Sequence, residues 1–224
     1  FAFKTDEDGW KALDGELGKV IEDAITKANL FMFKPMWGQG YRQLTSKAKP
    51  INHPDELKGF KIRVPTSPIL LSLFQTLGAS PTSMNVSELY TALQTGIVEG
   101  QENPLSIIFA RHFYEVQKYC AQTNHVWDIN VQVANRASWN RLSDSLKEIV
   151  LRNLGEAGMK QRQDVQQANV SLQSELEKKG MVFNKPDIDA FRSRLKSGCF
   201  YEQWRKTYGD VAWKALEQYT GALV

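Results

Sequence analysis

The sequence predicts an α/β fold on three observations. Short β-forming runs alternate with amphipathic helical runs between about residues 61 and 104. One helical register continues from Ser143 to Leu176. With 42% apolar residues in a chain of 224, there is enough material for a substantial core, as one large domain or as two lobes sharing segments.

Residues 5–25 place Trp10, Leu13, Leu17, Ile21 and Ala24 at helical spacing behind the capping residues Thr5 and Asp6, which predicts one amphipathic helix. The apolar run Leu30 to Phe33 leads into WGQGYRQLTS, whose glycines and β-formers predict a strand with close backbone approach. KIRV at 61–64 reads as a short strand. Ser67 and Pro68 then open a helix with Ile69, Leu70, Leu73, Phe74 and Leu77 on one face, ended by Gly78. A second unit follows: SPTSMN as a strand, Ser87 as the cap of a helix that turns Leu89, Ala92 and Leu93 inward, and Gly96 as its stop. IVEGQEN returns as a strand before Pro104 opens the next helix, and this alternation predicts a parallel sheet.

Beyond 104, EVQKYCAQT and INVQVAN read as two extended segments separated by TNHVWD, crossing between lobes. Ser143 caps the long helical region, softened by Gly155 and Gly158, whose length suits a brace. MVF at 181–183 supplies a short strand. Two further amphipathic helices follow, with Phe191, Phe200, Trp204 and Trp213 assigned to the core.

Composition excludes several classes. Basic residues exceed acidic ones by 28 − 25 = 3 without a dense basic run, so the charge argues neither for nor against an anionic polymer, and no nucleic-acid partner is assigned. No stretch approaches the ~20 consecutive apolar residues of a membrane span, and FAFKTDEDGW does not have the form of a signal peptide. There is no G-x-S-x-G elbow, phosphate-cradling glycine loop, dinucleotide fingerprint or H-E-x-x-H, so no catalytic residue and no cofactor are assigned. His53, His112 and His125 are scattered, and no Cys/His spacing fits a metal, so no metal ligand is assigned either. The pair Cys120 and His125 would fall on opposite faces of one strand, which argues against a nucleophile and its base. Cys120 and Cys199 are compatible with one disulfide or with two packed thiols, and Asp187 and Asp189 form a D-x-D that fits loop solvation better than a metal.

In open α/β sheets, ligands bind beyond the carboxyl ends of strands, where helix N-termini expose amides. Arg63 lies there, at the end of KIRV and before the Ser67–Pro68 helix start. Its guanidinium could give a ligand carboxylate a bidentate fork, or pair with a surface glutamate. Asn103 holds the equivalent place before Pro104, where it either reaches a ligand or caps an Asn-Pro turn. Periodicity does not place Arg42.

These stretches carry a resemblance. W-G-Q-G-Y-R-Q at 37–43, L-K-G-F-K-I-R-V-P at 57–65, G-A-S-P-T at 78–82, S-E-L-Y-T-A-L-Q-T-G-I-V-E-G-Q-E-N-P at 87–104 and Y-E-V-Q-K-Y at 114–119 resemble, in order, the solute-binding subunits of tripartite ATP-independent periplasmic (TRAP) transporters of the DctP type. The resemblance implies a two-lobed periplasmic-binding-protein fold with a long interlobe helix. It also implies a monomeric periplasmic protein that closes on a small organic acid and delivers it to TRAP membrane permease subunits driven by a sodium gradient. It assigns the main carboxylate salt bridge to Arg63 and a second, more variable contact to Arg42, and it brings Asn103 to the ligand. Thr66 falls where sialic-acid binders carry asparagine, which argues against that ligand. Trp127 falls in a pocket-lining region, where it would stack on a flat acid or pack in the hinge.

Family members begin with a signal peptide and a β-α-β segment of the first lobe, so lobe one is expected to be incomplete here. The expected division is 1–39 with 129–168 as lobe one and 40–128 with 169–224 as lobe two. Two rival functions share the Arg63 anchor: an enzyme acting on a carboxylate substrate, and a ligand-presenting sensor subunit.

Overall fold

The computed structural model describes residues 1–224. Thr5 opens the first helix, α1 (Asp6–Asp14), by accepting from the Asp8 amide at 3.1 Å. The single helix expected over 5–25 is broken at Gly15, and α2 (Glu16–Lys27) continues in a new direction. Apolar spacing survives the break, so periodicity alone does not reveal it. Tertiary contact fixes it: the Tyr219 hydroxyl lies where a Cβ at Gly15 would be and accepts from the Glu16 amide.

A small antiparallel sheet joins β1 (Leu30–Met32) to β7 (Val133–Asn135). The large sheet is built from β2 (Trp37–Ser46), β3 (Lys61–Val64), β4 (Ser80–Ser83), β5 (Gly100–Pro104), β6 (Tyr119–Asn130) and β8 (Val182–Asn184), in the order β4-β3-β5-β2-β6-β8. β3 runs parallel to β4 and β5, and β6 to β8, but β2 is antiparallel to both β5 and β6. The sheet is therefore mixed and not wholly parallel. Periodicity locates strands and carries no information on their direction, and β2 arrives from the small sheet at the opposite end.

The helices of the repeating units stand where expected: α3 (Pro68–Thr76), α4 (Val86–Thr95) and the short α5 (Leu105–Ala110). The α4 cap is Asn85 and Ser87 lies inside the first turn, while Gly96 closes the helix at φ 77°. TNHVWD does not separate two extended segments. It is the middle of β6, which absorbs Asn124 at φ 46° and a register shift against β2. After α6 (Arg136–Asn140), Ser143 caps the 35-residue α7 (Asp144–Lys178) by accepting from the Leu146 amide. α8 (Ile188–Ser197) and α9 (Phe200–Thr220, kinked at Gly209) complete the chain. None of the helices is long and apolar enough to cross a membrane.

Ile62 and Val64 point to one face of the large sheet, into a core that includes Leu44, Phe74, Phe191, Phe200, Trp204 and Trp213. The opposite face packs on Leu89, Leu93, Ile108, Phe113 and Leu176. A third cluster, Leu13, Met32 and Met36 with Trp10, Leu17, Ile21 and Trp127, surrounds the small sheet. β2 and β6 run from this cluster into the large sheet. α7 spans the same gap and ties in through Arg162, which donates to Asp14 at 2.7 and 2.9 Å and to the Met36 carbonyl at 2.9 Å. Both cysteines are free: Cys120 is sealed in the core and Cys199 is exposed at the start of α9. Asp187 caps α8 through the Ala190 amide, which accounts for one carboxylate of the D-x-D.

Candidate ligand-binding site

β5 reads Gly100-Gln101-Glu102-Asn103-Pro104 and is buried throughout, although three of its residues are polar. A central strand with polar side chains on both faces needs partners from its neighbours. On the Leu44 face, β2 supplies Arg42. Its Nε donates to Glu102 Oε2 at 2.5 Å, Nη2 to Glu102 Oε1 at 2.8 Å, and Nη1 to Asp128 Oδ2 at 2.6 Å. Nη2 also donates to the Glu102 carbonyl at 2.7 Å and to Asn103 Oδ1 at 3.1 Å. Burial alone would lower the Arg42 pKa, but Glu102 and Asp128 carry it above the usual arginine value.

Glu102 is fully buried, and its second partner is His125, with Nε2 at 3.0 Å from Oε2. Burial pushes the Glu102 carboxyl up, and the Arg42 guanidinium and His125 more than offset this, leaving it below the ordinary carboxylate value. For His125 burial dominates and lowers the pKa despite Glu102, so the neutral ring donates through Nε2 while Nδ1 accepts from Thr123 at 2.7 Å.

Arg63 is on the other face of the sheet, in register with Gln101 and two residues short of Asn103 along the sheet. It is only 3% exposed, yet no carboxylate touches it. Nε and Nη2 both donate to the Met84 carbonyl, at 2.9 and 2.6 Å, and Nη1 has no protein partner. Burial lowers its pKa; Glu102 is close enough to oppose that effect, and Arg42 adds to it. The two arginines thus differ in kind: Arg42 is neutralised twice over, and Arg63 keeps an uncompensated charge.

The structure therefore brings Arg63, Asn103 and Arg42 to one end of the sheet. Thr66 is exposed in the bend after β3. Trp127 stands on the opposite face of β6 from Asp128, its Nε1 donating to Asp6 Oδ1 at 2.7 Å and its ring edge-on to Trp10 at 4.5 Å. It is packed into the α1 cluster. Glu102, Asp128 and His125 were not singled out from the sequence. The available signal was the run Gln-Glu-Asn within a buried strand, which requires a cation nearby.

A profile of the bacterial extracellular solute-binding protein family 7 matches residues 1–206. The sialic acid-binding periplasmic protein SiaP of Vibrio cholerae is 33% identical over 200 residues, covering 89% of this chain and 61% of that protein. The 2,3-diketo-L-gulonate-binding periplasmic protein YiaO of Escherichia coli is 30% identical over 196 residues, covering 87% and 60%. The chain thus spans about three fifths of the length of these curated relatives. A TRAP periplasmic solute-binding protein of Roseobacter denitrificans, solved with L-galactonate, superposes with a TM-score of 0.85 at 33% identity, covering 94% of this chain and 71% of that one. Another from the same organism, with bound β-D-glucuronate, gives 0.91 at 27% identity, covering 99% and 72%. The fold is that of these two-lobed proteins, with α7 as the long helix. The chain belongs to the bacterial extracellular solute-binding protein family 7, the solute-binding proteins of TRAP transport systems.

Proposed function

We propose that this chain carries the carboxylate-binding half of a periplasmic TRAP solute-binding protein, which holds a small organic acid through Arg63 and delivers it to a membrane permease in sodium-coupled uptake. The observation that carries this reading is the buried, unmatched charge of Arg63 with its free Nη1. Holding such a cation without a counter-ion costs several kcal/mol, and a ligand carboxylate removes that cost. Asn103 lies beside it at the same strand ends, and Arg42 contributes mainly by holding Asn103 and Glu102. Solved relatives contain L-galactonate, β-D-glucuronate and succinate, all of which are carboxylates.

In this reading, residues 1–39 with 129–168 belong to one lobe, and 40–128 with 169–224 to the other. The acid favours the closed state because only closure lets both lobes reach it. The protein acts as a monomer and performs no chemistry on its ligand. A thermal-shift screen of the intact protein against organic acids and uncharged polyols of matched size tests the reading. One or more acids should raise the melting temperature and be recovered unaltered; stabilisation by polyols but by no acid would overturn it.

A further inference from the structure

Behind Asn103, on the face it shares with Arg63, four buried polar side chains form a single file through the sheet. Asn103 Nδ2 donates to Gln101 Oε1 at 2.5 Å, and Gln101 Nε2 donates to Thr45 Oγ1 at 2.9 Å. Thr45 Oγ1 donates to Gln117 Oε1 at 3.0 Å, and Gln117 Nε2 ends the file on the carbonyls of Val116 and Glu99 at 2.9 and 3.4 Å. The two ends determine every orientation between them. A carbonyl oxygen only accepts, so Gln117 must turn its nitrogen to Val116 and its oxygen to Thr45. A guanidinium only donates, so Asn103 must turn its oxygen to Arg42 and its nitrogen to Gln101. Reversing any one amide sets nitrogen against nitrogen or oxygen against oxygen among buried groups.

We infer that Gln117, Thr45 and Gln101 are positioning residues for the ligand site: their one-way hydrogen-bond chain holds Asn103 with one Nδ2 hydrogen left to donate beside Arg63. This inference rests on the reading of Arg63 and Asn103 as ligand contacts. It makes that end of the cleft a donor-only surface, suited to an acid with a hydroxyl, keto or second carboxylate oxygen near the bound carboxylate. None of the three positioning residues would itself touch the ligand.

The test uses the intact protein titrated with L-galactonate, D-glucuronate and succinate, together with Arg63→Ala, Thr45→Val and Thr45→Ser. Valine matches threonine in shape but breaks the file, and serine keeps the hydroxyl. The expected result is that Arg63→Ala abolishes binding, Thr45→Val weakens it about tenfold, and Thr45→Ser restores it to within about twofold. Loss with Arg63→Ala but wild-type affinity in Thr45→Val overturns the chain and leaves Arg63 in place; wild-type affinity in Arg63→Ala overturns the carboxylate reading itself. A ligand-free readout stands beside these: the Asn103 and Gln101 carboxamide protons should exchange slowly by NMR in wild type and Thr45→Ser and rapidly in Thr45→Val. Equal exchange in all three overturns the chain even if none of the three acids binds. Should Thr45→Val fail to fold, Gln117→Met breaks the far end of the file and is read in the same way.

Discussion

At the scale of the residue, two arginines at one sheet end illustrate how a buried charge is made structural or left available. Arg42 meets Glu102 and Asp128 and is held in the framework, whereas Arg63 meets one carbonyl. The framework has its own pH signature. In the unfolded chain His125 takes up a proton near 6.5, while burial keeps it neutral to lower pH in the folded protein. Its contribution is therefore fully present above 6.5 and is lost as pH falls below that value. Glu102, held below 4.5, adds a further loss with the same sign at lower pH. Melting temperatures should drop between about pH 7.5 and 5.5, and His125→Gln, which keeps a donor for Glu102, should flatten that drop. An unchanged slope in the variant would show that His125 is not its source. The place of Arg63 and Asn103 at adjacent strand ends was legible in the sequence because each sits just ahead of a proline-opened turn or helix. Glu102 and His125 were not, because only strand pairing reveals that residues 42, 102 and 125 meet.

At the scale of the element, the long helix and the first two helices depend on close approach. Arg162 of α7 stacks 4.0 Å over the Trp10 ring while holding Asp14 and the Met36 carbonyl. Asp14 is half exposed, so its share is modest, and Arg162→Met should cost about 2 kcal/mol in chemical denaturation. A cost near zero would mean that α7 is not tied to the α1 cluster in this way. Gly18 is packed more tightly: an added Cβ would lie 1.7 Å from the Leu13 carbonyl oxygen. Alanine is the better helix former by about 1 kcal/mol, but here the clash wins, and Gly18→Ala should destabilise by about 3 kcal/mol. A stabilised variant would contradict the α1–α2 geometry. The sequence showed the helical spacing of residues 5–25 but not this bend, since Tyr219, which helps fix it, lies some two hundred residues away.

At the scale of the whole molecule, strand and helix positions in the large sheet followed from local patterns such as KIRV and the Ser67–Pro68 start. The mixed direction of the sheet did not, because the antiparallel placement of β2 is a long-range property. Motif order across 37–119 pointed to the two-lobed family, and the profile match over 1–206 shows it. If Arg63 is the anchor across the cleft, ligand binding and global stability are linked: an acid at 100 times its dissociation constant should stabilise the protein by about 2.7 kcal/mol. Each charge-assisted hydrogen bond to a carboxylate contributes about 1.5–3 kcal/mol, so losing the fork should cost about 3 kcal/mol or more, roughly 100-fold in affinity. The most direct measurement is calorimetric titration of wild type, Arg63→Ala and Arg63→Lys with the acid that the thermal screen identifies. Binding should be at least about 100-fold weaker in the alanine variant and nearly as weak in the lysine variant, which lacks the planar fork; affinity within about threefold of wild type in both would contradict the account.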